Sequence, residues 1–311
     1  ASPLPEAEGL AAEGATDTFD LRYFDRSLVI DTCGRWSMAA AGDADHVEWR
    51  RLLTLVENTR RREPVNGVLV TIGVDELREV DADGLRERGK RLRSRLDELM
   101  RVMGSNIPVC LAVTKIDRLD GMPELWRRLD EESRGQAMGY QTPAPGRVET
   151  IVAAAFDSVV GALGDLALAS LYAGGAFREG DDPRRLRRAA LLIPREVESL
   201  RAPLAAFAQG AFADNPYQET PFLRGVYFLA ALDGDASRWP LPEDPGFGPA
   251  SATGAPASGG LFVRDLLSRI MPDDRGRETE LLLARKRRRM TAVGAVFPEP
   301  GVPMAMSHGR A

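Results

Sequence analysis

The sequence predicts an α/β protein: a parallel sheet with helices on both faces, followed by a mainly helical part. Three observations carry this. The branched apolar runs Leu28-Val29-Ile30, Val68 to Ile72 and Ile107 to Val113 read as buried strands, too brief for helices and bounded by turn formers. Between them, Asp45 to Arg60 and Asp83 to Met103 carry apolar residues at helical spacing. Beyond residue 145 the strand pattern yields to long apolar segments. Strand, helix, strand, helix, strand builds a parallel sheet through crossover connections.

Taken in order, residues 1–18 are rich in Ala, Gly, Glu and Pro without a period, and read as a flexible leader. An α/β domain is expected over 19–145. Phe19 to Phe24 looks like an edge strand that turns at Asp25-Arg26 into the Leu28–Asp31 strand. Ser37 to Asp45 is small and polar, a candidate mobile loop. Asp45 is an N-cap candidate for the first long helix, and Arg60, Arg61 and Arg62 suit its negative end. Asp83 is expected to open the second helix, with Leu85, Leu92, Leu96, Leu99 and Met100 inward, and Gly104 to close it. A helix around Pro123 to Glu132 ends this part.

A helical subdomain is expected over 146–240. Arg147 to Leu171 is one apolar segment, but Asp157 and Asp165 favour a helix inside a bundle over a membrane span. Arg184 to Ala190 starts another helix, and Pro194 is expected to open a third through Phe212. Phe222 to Leu232 could be a strand returning to the main sheet. Residues 241–260 read as a disordered linker or loop, and 261–311 as C-terminal helices and a tail, with helices over Leu261–Ile270 and Glu278–Met290.

Composition narrows the function. The chain has 311 residues, with 44% apolar and 28% charged, as in an ordinary soluble globular protein of about two domains. A net charge of −5 argues against a nucleic-acid partner. Cys33 and Cys110 lie in or beside expected strands and read as small core residues, not as a disulfide or metal pair.

Two strand ends carry chemistry. Leu28 to Ile30 ends on Asp31-Thr32-Cys33-Gly34, and in open α/β sheets ligands sit beyond the carboxyl ends of strands. Asp31 there can hold a Mg²⁺, and Gly34 lets a backbone N–H approach a terminal phosphate. D-T-x-G is the second phosphate-side motif of P-loop GTPases. Downstream, the Ile107–Val113 strand ends on Thr114-Lys115-Ile116-Asp117, a T-K-x-D base-reading motif. There the carboxylate accepts two hydrogen bonds from a guanine edge and the lysine stem covers the base. The alternative is that Lys115 and Asp117 merely cap a strand and open a helix.

Several further runs converge on one family. With Leu28–Trp36 and Thr114–Asp117 stand Trp49, the R-x-x-x-P-x-N-G run of Arg60 to Gly67, Pro194-Arg195-Glu196 and Asn215-Pro216-Tyr217-Gln218. Leu223-Arg224-Gly225-Val226-Tyr227-Phe228 and Phe262-Val263-Arg264-Asp265-Leu266 complete the set. On these the chain resembles the cytoplasmic domain of the TssM (IcmF) family of bacterial type VI secretion. The resemblance implies a P-loop GTPase-like fold on the cytoplasmic face of the bacterial inner membrane, the chain itself being soluble. It implies a homo-oligomeric scaffold whose partners are TssL-like and TssJ-like membrane-complex proteins and cytoplasmic baseplate proteins. The expected nucleotide site comprises Asp31, Thr32, Gly34, Arg35, Thr114, Lys115 and Asp117, with Asp31 as the metal ligand and Mg-GTP or Mg-ATP as cofactor.

Two departures qualify that site. The spacing of a P-loop recurs at Gly9 to Thr16, but Ala15 stands where the lysine belongs and no lysine precedes Lys90. Without a P-loop, nucleotide binding should be weak or absent. Arg35 also stands where many GTPases carry a water-orienting Gln. Catalytic residues are therefore not assigned. The function expected is a docking scaffold; the alternative is an NTP-driven switch or hydrolase.

Overall fold

The computed structural model describes residues 18–23, 26–38, 42–60, 65–126, 129, 131–172, 183–214, 220–232 and 259–274. The leader through residue 17, Asn215 to Gln218, most of the expected linker and Glu278–Met290 lie outside them.

The chain opens with the antiparallel hairpin β1 (Phe19–Tyr23) and β2 (Leu28–Thr32), then α1 (Gly34–Met38) and α2 (Ala44–Thr59). β3 (Val68–Gly73), α3 (Val74–Glu79), α4 (Ala82–Met103) and β4 (Val109–Thr114) follow. Then come α5 (Met122–Trp126), α6 (Glu131–Gly135), β5 (Met138–Gln141), α7 (Val148–Tyr172), α8 (Pro183–Ser199) and α9 (Arg201–Phe212). β6 (Leu223–Phe228), β7 (Ala230–Leu232), β8 (Gly259–Leu261), a π-helical turn Leu266–Ile270 and α10 (Met271–Asp273) end the described chain.

The main sheet has four strands in the order β3-β4-β6-β5. β3, β4 and β6 are parallel, and β5 runs antiparallel to β6, so the sheet is mixed where a parallel one was expected. β6 is the returning strand read at Phe222 to Leu232. Every residue of β6 is buried, and so is β4 up to Val113. Successive side chains point to opposite faces, so this sheet is covered on both.

The Leu28–Asp31 strand is not part of that sheet. β2 pairs with β1 alone and is nowhere fully buried, being half-buried at Val29, Ile30 and Thr32 and exposed at Leu28 and Asp31. Three branched residues suffice for a strand, but burial depends on a second surface to cover them. Ile30 alone packs inward, against the small cluster of Cys33, Trp36 and Leu52.

Helix boundaries shift for local reasons. Asp43, not Asp45, is the N-cap of α2. Asp81, not Asp83, caps α4, its carboxylate accepting from Gly84 N–H at 2.8 Å. Gly104 closes α4 in the left-handed conformation, as its lack of a side chain allows. Ser37 and Met38, read as loop, end the short α1. Pro194 lies inside α8 and opens nothing, because Ala189, Ala190, Ile193 and Val197 continue one buried face through it. Burial there outweighs the lost backbone bond. Leu261 ends a strand, and the helix expected from it begins at Arg264 and continues as the π-helical turn.

One continuous core runs from Val70 in β3 to Leu266 and takes in α4, α7, α8 and α9. α7 is long and apolar enough to cross a membrane, yet Ile151, Val152, Ala155, Phe156 and Val159 are buried in this core. α4 and α9 cross at two glycines. A Cβ on Gly89 would lie 2.2 Å from the Phe207 carbonyl oxygen, and one on Gly210 2.2 Å from that of Arg86.

Candidate functional site

The T-K-x-D run sits at the carboxyl end of a parallel strand, the position that α/β ligand sites favour. Thr114 ends β4, and its hydroxyl donates to the Ile72 carbonyl at 3.4 Å. Lys115 takes a left-handed backbone (φ 62°), uncommon for a residue with a side chain, and Asp117 falls in the 3₁₀ turn Ile116–Arg118. The Lys115 stem lies beside Gly73, the last residue of β3.

Asp75 in α3 organises this corner. Its Oδ2 accepts from Lys115 Nζ at 3.2 Å and from the Arg118 guanidinium. Arg118 first, and then Lys115, hold the Asp75 carboxyl below its usual range. The Lys115 ammonium is thus held in an ion pair beside the strand end. The signal that could have found Asp75 was present: it is a carboxylate just past an apolar strand, the logic applied to Asp31.

The phosphate-side residues lie elsewhere. Asp31 and Thr32 end β2, on the exposed hairpin, opposite Asp20 and Phe19. Gly34 begins α1 with open space where a Cβ would stand. Arg35 donates from Nε to Asp45 Oδ1 at 2.9 Å and lies 3.9 Å from Glu48, and the Asp45 bond raises its pKa further. Arg35 is thereby tied to α2, and α2 in turn to the far half of α4. His46 meets Glu98 at 3.2 Å, and Leu53 packs with Leu99 and Ile107.

The two halves are tied to different turns of α4. Arg88 bridges to Glu76 of α3 near the T-K-x-D corner, whereas Glu98 meets α2. Ten residues of helix at 1.5 Å each separate those anchors by about 15 Å. The six residues of β4 span roughly 20 Å in the same direction at 3.3 Å each. No three His, Cys, Asp or Glu side chains gather into a metal site among the described residues.

The family-specific runs do structural work. Glu196 of the Pro194-Arg195-Glu196 run pairs with Arg78 and so ties α8 to α3. Arg224 forms a buried bidentate pair with Asp274, at 2.8 and 3.0 Å, that fastens the chain after β8 to the sheet. Gly225 leaves room for the Tyr140 carbonyl, 2.6 Å from where a Cβ would stand. Asp274 carries no recognisable sequence signal. The backbone N–H of Phe262 donates to Arg134 at 2.7 Å.

Fold and site together define a mixed α/β domain whose specific residues mostly hold its own elements together. Residues 42–297 match the IcmF-related N-terminal domain, and the chain belongs to that family, the TssM/IcmF proteins. The chain is 29% identical over 227 residues to the type VI secretion system component TssM1 of Pseudomonas aeruginosa. That match covers 72% of this chain and 20% of the relative, so the chain spans about a fifth of its length. No solved structure matches the chain.

Proposed function

We propose that this chain is a docking scaffold of a type VI secretion membrane complex, acting at the cytoplasmic face of the bacterial inner membrane. Its partners are TssL-like and TssJ-like membrane-complex proteins and baseplate proteins, reached by the longer protein of which relatives provide the pattern. One observation carries the scaffold reading over a nucleotide-driven one. The phosphate-side residues Asp31 and Thr32 stand on a hairpin outside the main sheet and the T-K-x-D turn at the end of a strand within it, while the family-specific runs tie the domain's own elements together. Calorimetric titration with Mg-GTP and Mg-ATP tests it. No binding at micromolar concentration is expected. Micromolar binding abolished by Asp117→Ala would overturn the reading.

A second reading, an NTP-driven switch, is favoured by the position of Thr114, Lys115 and Asp117 beyond a parallel strand. In that case Asp117→Ala would block secretion while leaving the fold and partner assembly intact. Under the scaffold reading the same change leaves secretion unaltered.

A further inference from the structure

Among the described residues β1 has β2 as its one strand partner, and the pair stands outside the main sheet. Its apolar residues Phe19, Leu21 and Tyr23 are 40%, 42% and 76% exposed. The register tells which backbone groups face the outer edge. Cys33 N–H donates to the Thr18 carbonyl at 2.9 Å, so those two residues form a hydrogen-bonded pair. In an antiparallel ladder such pairs alternate with unbonded ones, so Asp20–Asp31 and Arg22–Val29 carry the ladder. Phe19, Leu21 and Tyr23 fall between them, and their N–H and C=O groups point away from β2. Leu21 agrees: its N–H donates to the carboxylate of Asp20 at 2.8 Å and not to β2. A row of outward amides is a template for another strand.

We propose that this edge pairs with the same edge of a second copy of the chain, antiparallel, about a two-fold axis at Leu21. The strand Phe-Asp-Leu-Arg-Tyr is self-complementary in that register. Leu21 faces the second copy's Leu21, Phe19 faces its Tyr23, and Asp20 faces its Arg22. The apolar residues are the ones with outward amides, so they form the hydrogen-bonded pairs. Asp20 and Arg22 meet at the unbonded positions, where Cα atoms are about 4.5 Å apart and side chains come closest. Asp20 already pairs with Arg22 of its own strand at 3.3 Å, so both charges lie on one face. Register slips that keep the hydrogen bonding would set Asp20 against Asp20 or Arg22 against Arg22, which like charges disfavour. The outer edge of β2 offers no such match, since a pairing centred on Ile30 puts Val29 against Asp31. Phe19 also lines an apolar cleft of about 250 Å³ with Trp36, Leu52 and Leu55, and the second copy's Tyr23 arrives beside it. The pairing is independent of whether the T-K-x-D turn holds a nucleotide.

Sedimentation velocity on the whole chain, from about 1 µM to 1 mM, reads the association, and a reversible monomer–dimer equilibrium is expected. Leu21→Pro removes an N–H that β2 does not use, so it should abolish the dimer and leave the hairpin intact. Asp20→Arg sets like charges opposite each other twice and should weaken association about tenfold or more. Adding Arg22→Asp to it restores opposite charges and should recover the affinity to within about threefold. Circular dichroism and melting check that each variant is folded. Hydrogen exchange at the Phe19 and Tyr23 amides should slow as concentration rises. A chain that stays monomeric throughout overturns the proposal. So does a dimer whose affinity is unchanged in both Leu21→Pro and Asp20→Arg, which would be held by another surface. Protection of those amides that is independent of concentration would mean that a segment of the same chain occupies the edge, and overturns it as well.

Discussion

Replacing Asp274 by Asn should destabilise the domain severely. Arg224 and Asp274 have side chains only 5% and 8% exposed, and their two hydrogen bonds join β6, at the centre of the sheet, to the end of the described chain. Gln141 adds a third bond to Asp274 at 3.2 Å. Asn keeps the shape but removes the charge, so the Arg224 cation stays buried without its counter-ion. The Nη1 of Arg224 already lacks a partner, so no other acceptor is at hand to replace the carboxylate. Breaking such a pair from one side costs about 3–5 kcal/mol. With an m-value of about 3 kcal/mol/M in urea, the midpoint should fall by roughly 1–1.7 M. Urea unfolding followed by circular dichroism reads this directly, and trypsin should cut sooner at Arg264 and Arg269 as the segment loosens. The double change Arg224→Met with Asp274→Leu should restore most of the loss, since an apolar pair of similar volume needs no counter-charge. A loss below about 1 kcal/mol for Asp274→Asn, at unchanged m, would refute the argument that this pair is a buried charge clamp.

Further predictions follow from packing and ionisation. Gly89→Ala should cost about 1–3 kcal/mol, because its methyl would meet the Phe207 carbonyl of α9; a melting temperature unchanged within error would contradict the close crossing. Burial pushes the Cys110 thiol up to about 12, so it should resist alkylation at pH 8 until the chain is unfolded. A raised acid pKa means that the unfolded thiol ionises first. Stability should therefore decline as pH rises from about 8.5, the unfolded value, towards about 12, and Cys110→Ala should flatten that decline. Asp75 behaves oppositely: its depressed folded pKa adds stability above the unfolded value of about 3.9, lost as pH falls below it. Because the ion pair is partly exposed the effect should be under about 1 kcal/mol, visible as a shallower acid unfolding curve in Asp75→Asn.

How far the sequence can be read depends on the range of the interaction. The Val68–Ile72 and Ile107–Val113 strands, the Gly104 stop and the return of Phe222–Leu232 were legible, because apolar runs and a left-handed glycine act within a few residues. β5 was missed: Met138–Gln141 is short and half-buried, and it is a strand only because β6 lies beside it. The motif letters at Asp31 and Asp117 were legible too, but not that the strand ending on Asp31 stands outside the sheet that holds the strand before Asp117.

The sequence by itself determined where strands and helices begin and end, to within a few residues, and the family to which the chain belongs. Tertiary structure alone decided that β2 stands apart from the sheet, that Lys115 is drawn to Asp75, and that Arg224 meets Asp274 fifty residues on. The physical reason is the same in each case. Backbone preference and apolar spacing are written into neighbouring residues. Ion pairs and strand order depend on distant segments arriving at one place, and the pairing of two charges leaves no mark on the residues beside either.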